Sequence, residues 1–261
     1  MHGAAVYWET MPVIPPYIAT AVLPPVLCVL SAALLGVLVW ALTRPRYFYF
    51  VRHGETLLNA QHIRQGEAGG LSELGKRQAD AAGRYLKQFP ITRIIASPYE
   101  RTRETAAFIR TYLGAPVSYS PLVAERRNPS EIIGRRASDP NVANIVDQMD
   151  LSFHDDHYRY SDEENFDDLK TRARKALALL SRQGGRHTCV VTHGIFLKML
   201  IAYLLFRESL HASDYVKLSF FNSADNGAIT ICKFEPWRMF GATRGWSVVA
   251  YNEVTELAPE P

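Results

Sequence analysis

Residues 47–56 read Tyr-Phe-Tyr-Phe-Val-Arg-His-Gly-Glu-Thr. The aromatic and β-branched run predicts a strand over Tyr47–Val51. That strand delivers Arg52, His53 and Gly54 at its carboxyl end, the edge where open α/β sheets hold ligands. Two further predicted strands end in the same way. Arg93–Ala96 leads into Ser97-Pro98-Tyr99-Glu100-Arg101-Thr102-Arg103-Glu104, and Thr188–Thr192 stops at His193-Gly194. The Thr-Cys-Val-Val-Thr run is apolar throughout, as in strands of a parallel sheet buried on both faces.

Helical spacing alternates with these strands. A helix is predicted over Leu71–Phe89, with Leu74, Ala81, Tyr85 and Leu86 on one face. Ser97 as N-cap, Pro98 in the first helical position and Glu100 three residues after the cap predict a second helix, reaching about Leu113. A third runs over Phe166–Arg182 until Gly184-Gly185, and Ile195–Phe206 is a very apolar fourth. Val117–Tyr119, Val216–Phe221, Ala228–Phe234 and Val248–Tyr251 read as strands, with Asn226-Gly227 as a turn. Residues 123–165 are charged and lack clear periodicity, which predicts a lid or insertion. The expected architecture is a three-layer α/β/α sandwich with a mostly parallel sheet and some antiparallel edge strands.

Charge is unevenly spread. Between Glu9 and Arg44 there is no Asp, Glu, Lys or Arg, and Ala21–Leu42 is nearly continuous in apolar residues. A helix of that length crosses a ~30 Å hydrocarbon core, with Tyr17 and Trp40 placed for the two interfaces. The expected organisation is a short tail (1–20), a transmembrane helix (21–43) and a catalytic domain (44–261). Arg44, Arg46 and Arg52 after the span predict a single-pass membrane protein with its domain in the cytoplasm. His53 follows Leu42 by 11 residues, so the site is expected near the bilayer and open to membrane-associated substrates. A hydrophobic content of 48% excludes disorder, and a net charge of +3 is too small to indicate a nucleic-acid partner. Cys28, Cys189 and Cys232 form neither a disulfide framework nor a zinc pattern. His154-Asp155-Asp156-His157 has the residue types of a metal site, but in a charged loop it reads as solvated.

Two imidazoles, each followed by glycine, and arginines at two strand ends make a cationic pocket suited to a phosphoryl group. Guanidinium forks bind its oxygens in pairs, and a neutral imidazole can attack phosphorus. Arg52-His53-Gly54-Glu55-Thr56, then Ser97 through Ala106, then Thr192-His193-Gly194 resemble the histidine phosphatase superfamily, the phosphoglycerate-mutase-like enzymes. The resemblance extends from about Arg46 to Asn252. It implies that His53 is the phosphorylated nucleophile, that Arg52 and Arg101 clamp the phosphoryl oxygens and that His193 completes the pocket. Glu125, in Leu122-Val123-Ala124-Glu125-Arg126, matches the family's proton donor, and Asn59 its additional phosphate contact. Gln65-Gly66 and Leu71-Ser72-Glu73-Leu74-Gly75 match its loop and following helix start. Glu163-Glu164-Asn165 departs from the Gly-Glu-Ser of many relatives. The implied activity is that of a membrane-anchored phosphomonoester phosphatase needing no cofactor and no metal. A phosphomutase of the same fold and a catalytically silent tethered module are the alternatives.

Overall fold

In the computed structural model the described residues are 16–150, 155–221, 223–238 and 245–255. They fall into two units, Met1–Arg44 and Pro45–Pro261. The first holds α1 (Pro16–Thr43). Among the described residues no helix is long and apolar enough to cross a membrane. This corrects the expected transmembrane helix over 21–43 and the single-pass, cytoplasm-facing topology drawn from it. Apolar composition alone does not make a span: Pro24 and Pro25 stand inside α1 and supply no N–H to its turns. Trp40, expected at an interface, lies under the Arg44 guanidinium, 3.1 Å from ring centroid to Cζ. The Tyr17 side chain lies outside the described residues.

The second unit is built on a six-stranded sheet of β1 (Arg46–Arg52), β2 (Arg93–Ala96), β3 (Val117–Tyr119), β4 (His187–Thr192), β5 (Ile229–Phe234) and β6 (Trp246–Glu253), in the order β3-β2-β4-β1-β5-β6. The first four in that order are parallel, whereas β5 runs antiparallel to β1 and β6 antiparallel to β5. Alternation along β1 sorts its side chains. Phe48 and Phe50 enter one core with Phe166, Leu169, Phe196 and Leu200, and Tyr49 and Val51 enter the other with Ala82, Leu86, Ala106 and Ile109. So α3 (Glu73–Leu86) and α4 (Glu100–Leu113) cover one face, while α6 (Phe166–Arg182) and α7 (Gly194–Phe206) cover the other. The expected layering is present.

Three local readings change, and one short helix is added. Val216–Phe221 belongs to α8 (Ala212–Phe221), a helix rather than a strand. The alternation of Val216, Lys217, Leu218 and Ser219 suggested a strand, but the preceding turn is capped: Asp214 accepts from the His211 N–H and Asp156 from the Ala212 N–H. Residues 123–165 contain α5 (Pro140–Asp150), whose Val142, Ile145, Val146 and Met149 pack with Ile132 in a small separate core. The loop after β1 holds the short α2 (Leu57–Ala60). Finally, α4 starts at Glu100 behind Tyr99, not at Pro98 behind Ser97.

The loop after β1 packs on α3 backbone to backbone. A Cβ on Gly75 would lie 1.9 Å from the Glu55 carbonyl oxygen, and one on Gly54 would lie 2.2 Å from that of Gly75. Gly75→Ala must therefore push the 54–56 loop off the helix. It is expected to cost about 3 kcal/mol and to lower the melting temperature by about 6–12 °C in calorimetry, with a parallel loss of whatever activity His53 supports.

Candidate active site

Sheet order places the chemistry. Arg52 of β1 pairs with Thr192 of β4, and Ala96 of β2 with Val191. The residues just beyond these strands therefore emerge side by side as Ser97, His193 and His53. The His53 N–H donates to the Thr192 carbonyl at 3.0 Å and the Ser97 N–H to that of Val191 at 3.0 Å, so the strand registers extend into the site. Arg101 comes in from the first turn of α4. His53 is 4% exposed, Arg101 3% and His193 0%.

Arg101 joins the two imidazoles. Its Nε–H lies 3.2 Å from His53 Nε2 and 3.2 Å from His193 Nδ1, and its Nη1 donates to the Gly66 carbonyl at 2.8 Å. A guanidinium has no acceptor, so both ring nitrogens facing it carry lone pairs. His53 Nδ1 lies 2.7 Å from the Gly54 carbonyl, which can only accept, so the proton of the neutral ring sits on Nδ1. His193 Nε2 then carries the other ring's proton and donates to Ser97 Oγ at 2.8 Å. The sequence reading used Ser97 as a helix cap; its hydroxyl instead orients His193. Both imidazoles are held well below the usual histidine value. For His53 the causes are burial, then the charges of Arg101 and Arg52; for His193 they are burial, then Arg101 and His53. The site thus offers a neutral imidazole whose unprotonated Nε2 is held by Arg101 at the cavity wall.

Arg52 is also partly buried, which lowers its proton affinity despite Glu125 and Asp225. One Nη donates to the Ala224 carbonyl, while its buried Nε–H has no partner among the described residues, a donor available to an anion. Gly194 makes room for it, since a Cβ there would sit 3.2 Å from that Nε. Neither arginine is absorbed by the neighbouring acids: Glu104 accepts from the Leu71 N–H and Glu55 from Ser72 Oγ. Glu125 faces the N-terminus of α7, where its carboxylate accepts from the backbone N–H groups of Ile195, Phe196 and Arg126 at 3.3, 3.0 and 2.9 Å. Asn59 and Thr56 form a reciprocal cap on α2, so Asn59 has a structural task alongside its place at the site.

His53, Arg52, Arg101, Glu125 and Asn59 all line one cavity of about 590 Å³. His193 lies behind it, reaching it through Arg101. Sequence reasoning missed several participants. Lys198 and Asp225 line the same cavity, and Lys198 is the only charged residue in α7, a signal that was readable. Asn226 Nδ2 donates to the His53 carbonyl at 2.9 Å. Arg172 pairs with Glu164 through two contacts of 2.6 Å and donates to the carbonyls of Ala124 and Glu125, fixing the backbone that carries Glu125. Glu164 thus has a positioning task, and Asn165 caps α6 through the Asp168 N–H. The metal-like quartet is dispersed: Asp156 engages His211, His157 engages Asp167, and His154 lies outside the described residues.

The sequence profile of the histidine phosphatase superfamily (branch 1) matches residues 48–247. "Probable phosphoglycerate mutase GpmB" of Erwinia tasmaniensis is 32% identical over 159 residues, covering 60% of this chain and 74% of that protein. Its namesake from Photorhabdus laumondii is 28% identical over 220 residues, covering 80% and 94%. Among solved structures, mycobacterial glucosyl-3-phosphoglycerate phosphatase aligns with a TM-score of 0.64 at 23% identity, over 80% of this chain and 100% of that one. The α-ribazole phosphatase of Shigella flexneri aligns with a TM-score of 0.65 at 20% identity, over 82% and 100%. These structures share the fold. The profile match reaches every strand of the sheet, and the chain accordingly belongs to the histidine phosphatase superfamily (branch 1), whose members are phosphatases or mutases acting through phosphohistidine.

Proposed function

We propose that this chain is a phosphomonoester phosphatase working through a phosphohistidine on His53. The observation that carries the reading is the bifurcated Arg101 contact, which fixes His53 as a neutral imidazole with an unprotonated Nε2 held against Arg101 in the wall of the cavity both residues line. In the first step Nε2 bonds to phosphorus as the ester P–O bond breaks, and Glu125 protonates the departing alkoxide. In the second step water attacks phosphorus, the P–N bond breaks, Glu125 takes the water's proton and phosphate leaves. Arg52 and Arg101 neutralise the equatorial oxygens while His193, behind the cavity, holds Arg101 through Nδ1, so charge stabilisation comes from side chains. Glu125 accepts three backbone N–H groups before substrate arrives. Residues 123–165, which carry Glu125, are proposed as the lid.

The hydrolytic step needs water beside the phosphoenzyme, and a cavity of about 590 Å³ holds more than one phosphoryl group and leaves room for it. The test uses the full chain with a panel of small phosphomonoesters, with and without a chelator, and acid-labile phosphoprotein trapped in the steady state. Chelator-insensitive phosphate release with a trapped phosphoenzyme is expected. Phosphoryl exchange between sugar acids without net release makes it a mutase, and the absence of both turnover and phosphoenzyme makes it a binding module.

A further inference from the structure

α7 begins beside His193 and carries one stripe of side chains away from it. Lys198, Ile201, Ala202 and Leu205 fall at i, i+3, i+4 and i+7, so they share a face of the helix. That face, Leu218 of α8, and Val248 and Tyr251 of β6 line a groove of about 240 Å³. The helix is apolar nearly all round because it has two apolar faces: Phe196, Met199 and Leu200 belong to the core, Ala202 and Ile201 bridge core and groove, and Leu205 faces the groove. Leu205 is 56% exposed and Val248 37%. Large apolar side chains left open in a concave surface mark a binding site more often than a scattered exposed leucine does.

The groove joins the catalytic cavity at two places. Lys198 lines both spaces, and the Tyr251 hydroxyl of the groove donates to the carbonyl of Ser223, a cavity residue, at 2.7 Å. At this seam the Lys198 stem lies along the apolar side while its ammonium donates to the Ser219 carbonyl at 3.0 Å. From Lys198 to Leu205 the helix rises about 10 Å, directed away from His193. A cationic, hydrogen-bonding chamber thus adjoins a hydrocarbon-lined groove, with Lys198 common to both.

We propose that the substrates of this site are phosphomonoesters of alcohols bearing an extended apolar chain, and that the groove between α7, α8 and β6 binds that chain. The inference rests on the phosphomonoesterase reading above. The phosphate lies in the cavity near His53, the ester oxygen passes Lys198, and the chain follows Ile201 and Leu205 outward. A short polar alcohol would leave the groove unused.

The test is a chain-length series on the full protein, using propyl, hexyl and nonyl phosphate as monomers in solution, with the matching non-hydrolysable alkylphosphonates followed by calorimetry. A half-covered chain gains about twofold per methylene, so kcat/KM and affinity should rise about 60-fold from propyl to nonyl. Leu205→Asp and Val248→Asp, both at exposed positions outside the catalytic machinery, should flatten both series and leave propyl phosphate turnover unchanged. A flat wild-type series overturns the proposal, as does a slope that survives both variants. If the wild-type series is flat and the variants instead shift sedimentation toward monomer, the groove is a self-association surface and the proposal also falls. The phosphonates separate the two readings. Graded binding without turnover of any ester keeps the groove assignment and removes the hydrolase; turnover with flat phosphonate binding does the reverse.

Discussion

His53→Gln is expected to lose turnover of every phosphomonoester by at least about 10⁴-fold and to form no acid-labile phosphoenzyme. A carboxamide fills much of the imidazole's space but offers no nitrogen lone pair, so the first step has no nucleophile while Arg52, Arg101 and Glu125 stay in place. The same substitution has a second readout in stability. The folded His53 has a proton affinity well below the usual value. As pH falls through about 6.5, the unfolded chain takes up a proton that the folded protein refuses, and stability drops. The contribution is complete above that pH and is lost progressively toward the depressed folded value, at up to about 1.4 kcal/mol per pH unit. Thermal melts from pH 7.5 to 5 should therefore fall less steeply in His53→Gln than in wild type. Residual turnover near the wild-type level, or a phosphoenzyme still trapped, would move the nucleophile elsewhere.

The catalytic end of the sheet was readable because its information is local. Tyr47–Val51 and Thr188–Thr192 are short apolar runs that stop at Arg52-His53 and His193, and a parallel register between them needs no more than the βαβ logic of the chain. What could not be read depends on contacts distant in sequence. Ser97 fits a helix-cap pattern by spacing, yet its hydroxyl serves His193, 96 residues later. Arg172 looks like one of many basic residues on an amphipathic helix, and only the fold brings it to the Glu125 carbonyl, 47 residues upstream. α8 was misread because alternation over four residues is too short to separate a strand from a helix when the deciding caps come from Asp156 and Asp214. The charge-free N-terminal run shows the opposite limit: composition specifies apolarity, but a span also requires enough apolar helix, which the described residues do not supply.

These observations give the site a division of labour. The three strand ends set the positions of the reacting groups, while the groups between strands set their protonation. Gly54 and Ser97 each fix one ring tautomer. Arg172 holds the Glu125 backbone from the side of α6, and Asn226 holds the His53 carbonyl from the turn before β5. In the proposed reaction the acid Glu125 is tied to α7 through the Ile195 and Phe196 N–H groups, and its segment to β4 through the Val123 carbonyl, which accepts from Thr192 Oγ1, so acid and nucleophile share one frame.

Arg101 is where these two controls meet, and substitutions there should separate them. Arg101→Lys keeps the positive charge but loses the planar fork that reaches both imidazoles and the Gly66 carbonyl together. A lysine supplies a point charge on a flexible stem, so kcat is expected to fall about 10³-fold while the acid limb of the kcat/KM profile stays low. Arg101→Gln removes the charge as well. After burial, that charge is the largest influence lowering His53; without it the imidazole's proton affinity rises toward the ordinary value. Protonated His53 cannot attack, so the acid limb must move to higher pH in Arg101→Gln and not in Arg101→Lys. Steady-state profiles from pH 4.5 to 8, corrected for ionisation of the substrate, read the difference directly. If the two variants share one acid limb, Arg101 acts on the reaction through geometry alone. If neither loses more than about tenfold in kcat, it does not touch the transferring phosphoryl group, and Arg52, whose Nε–H has no partner among the described residues, becomes the group that does.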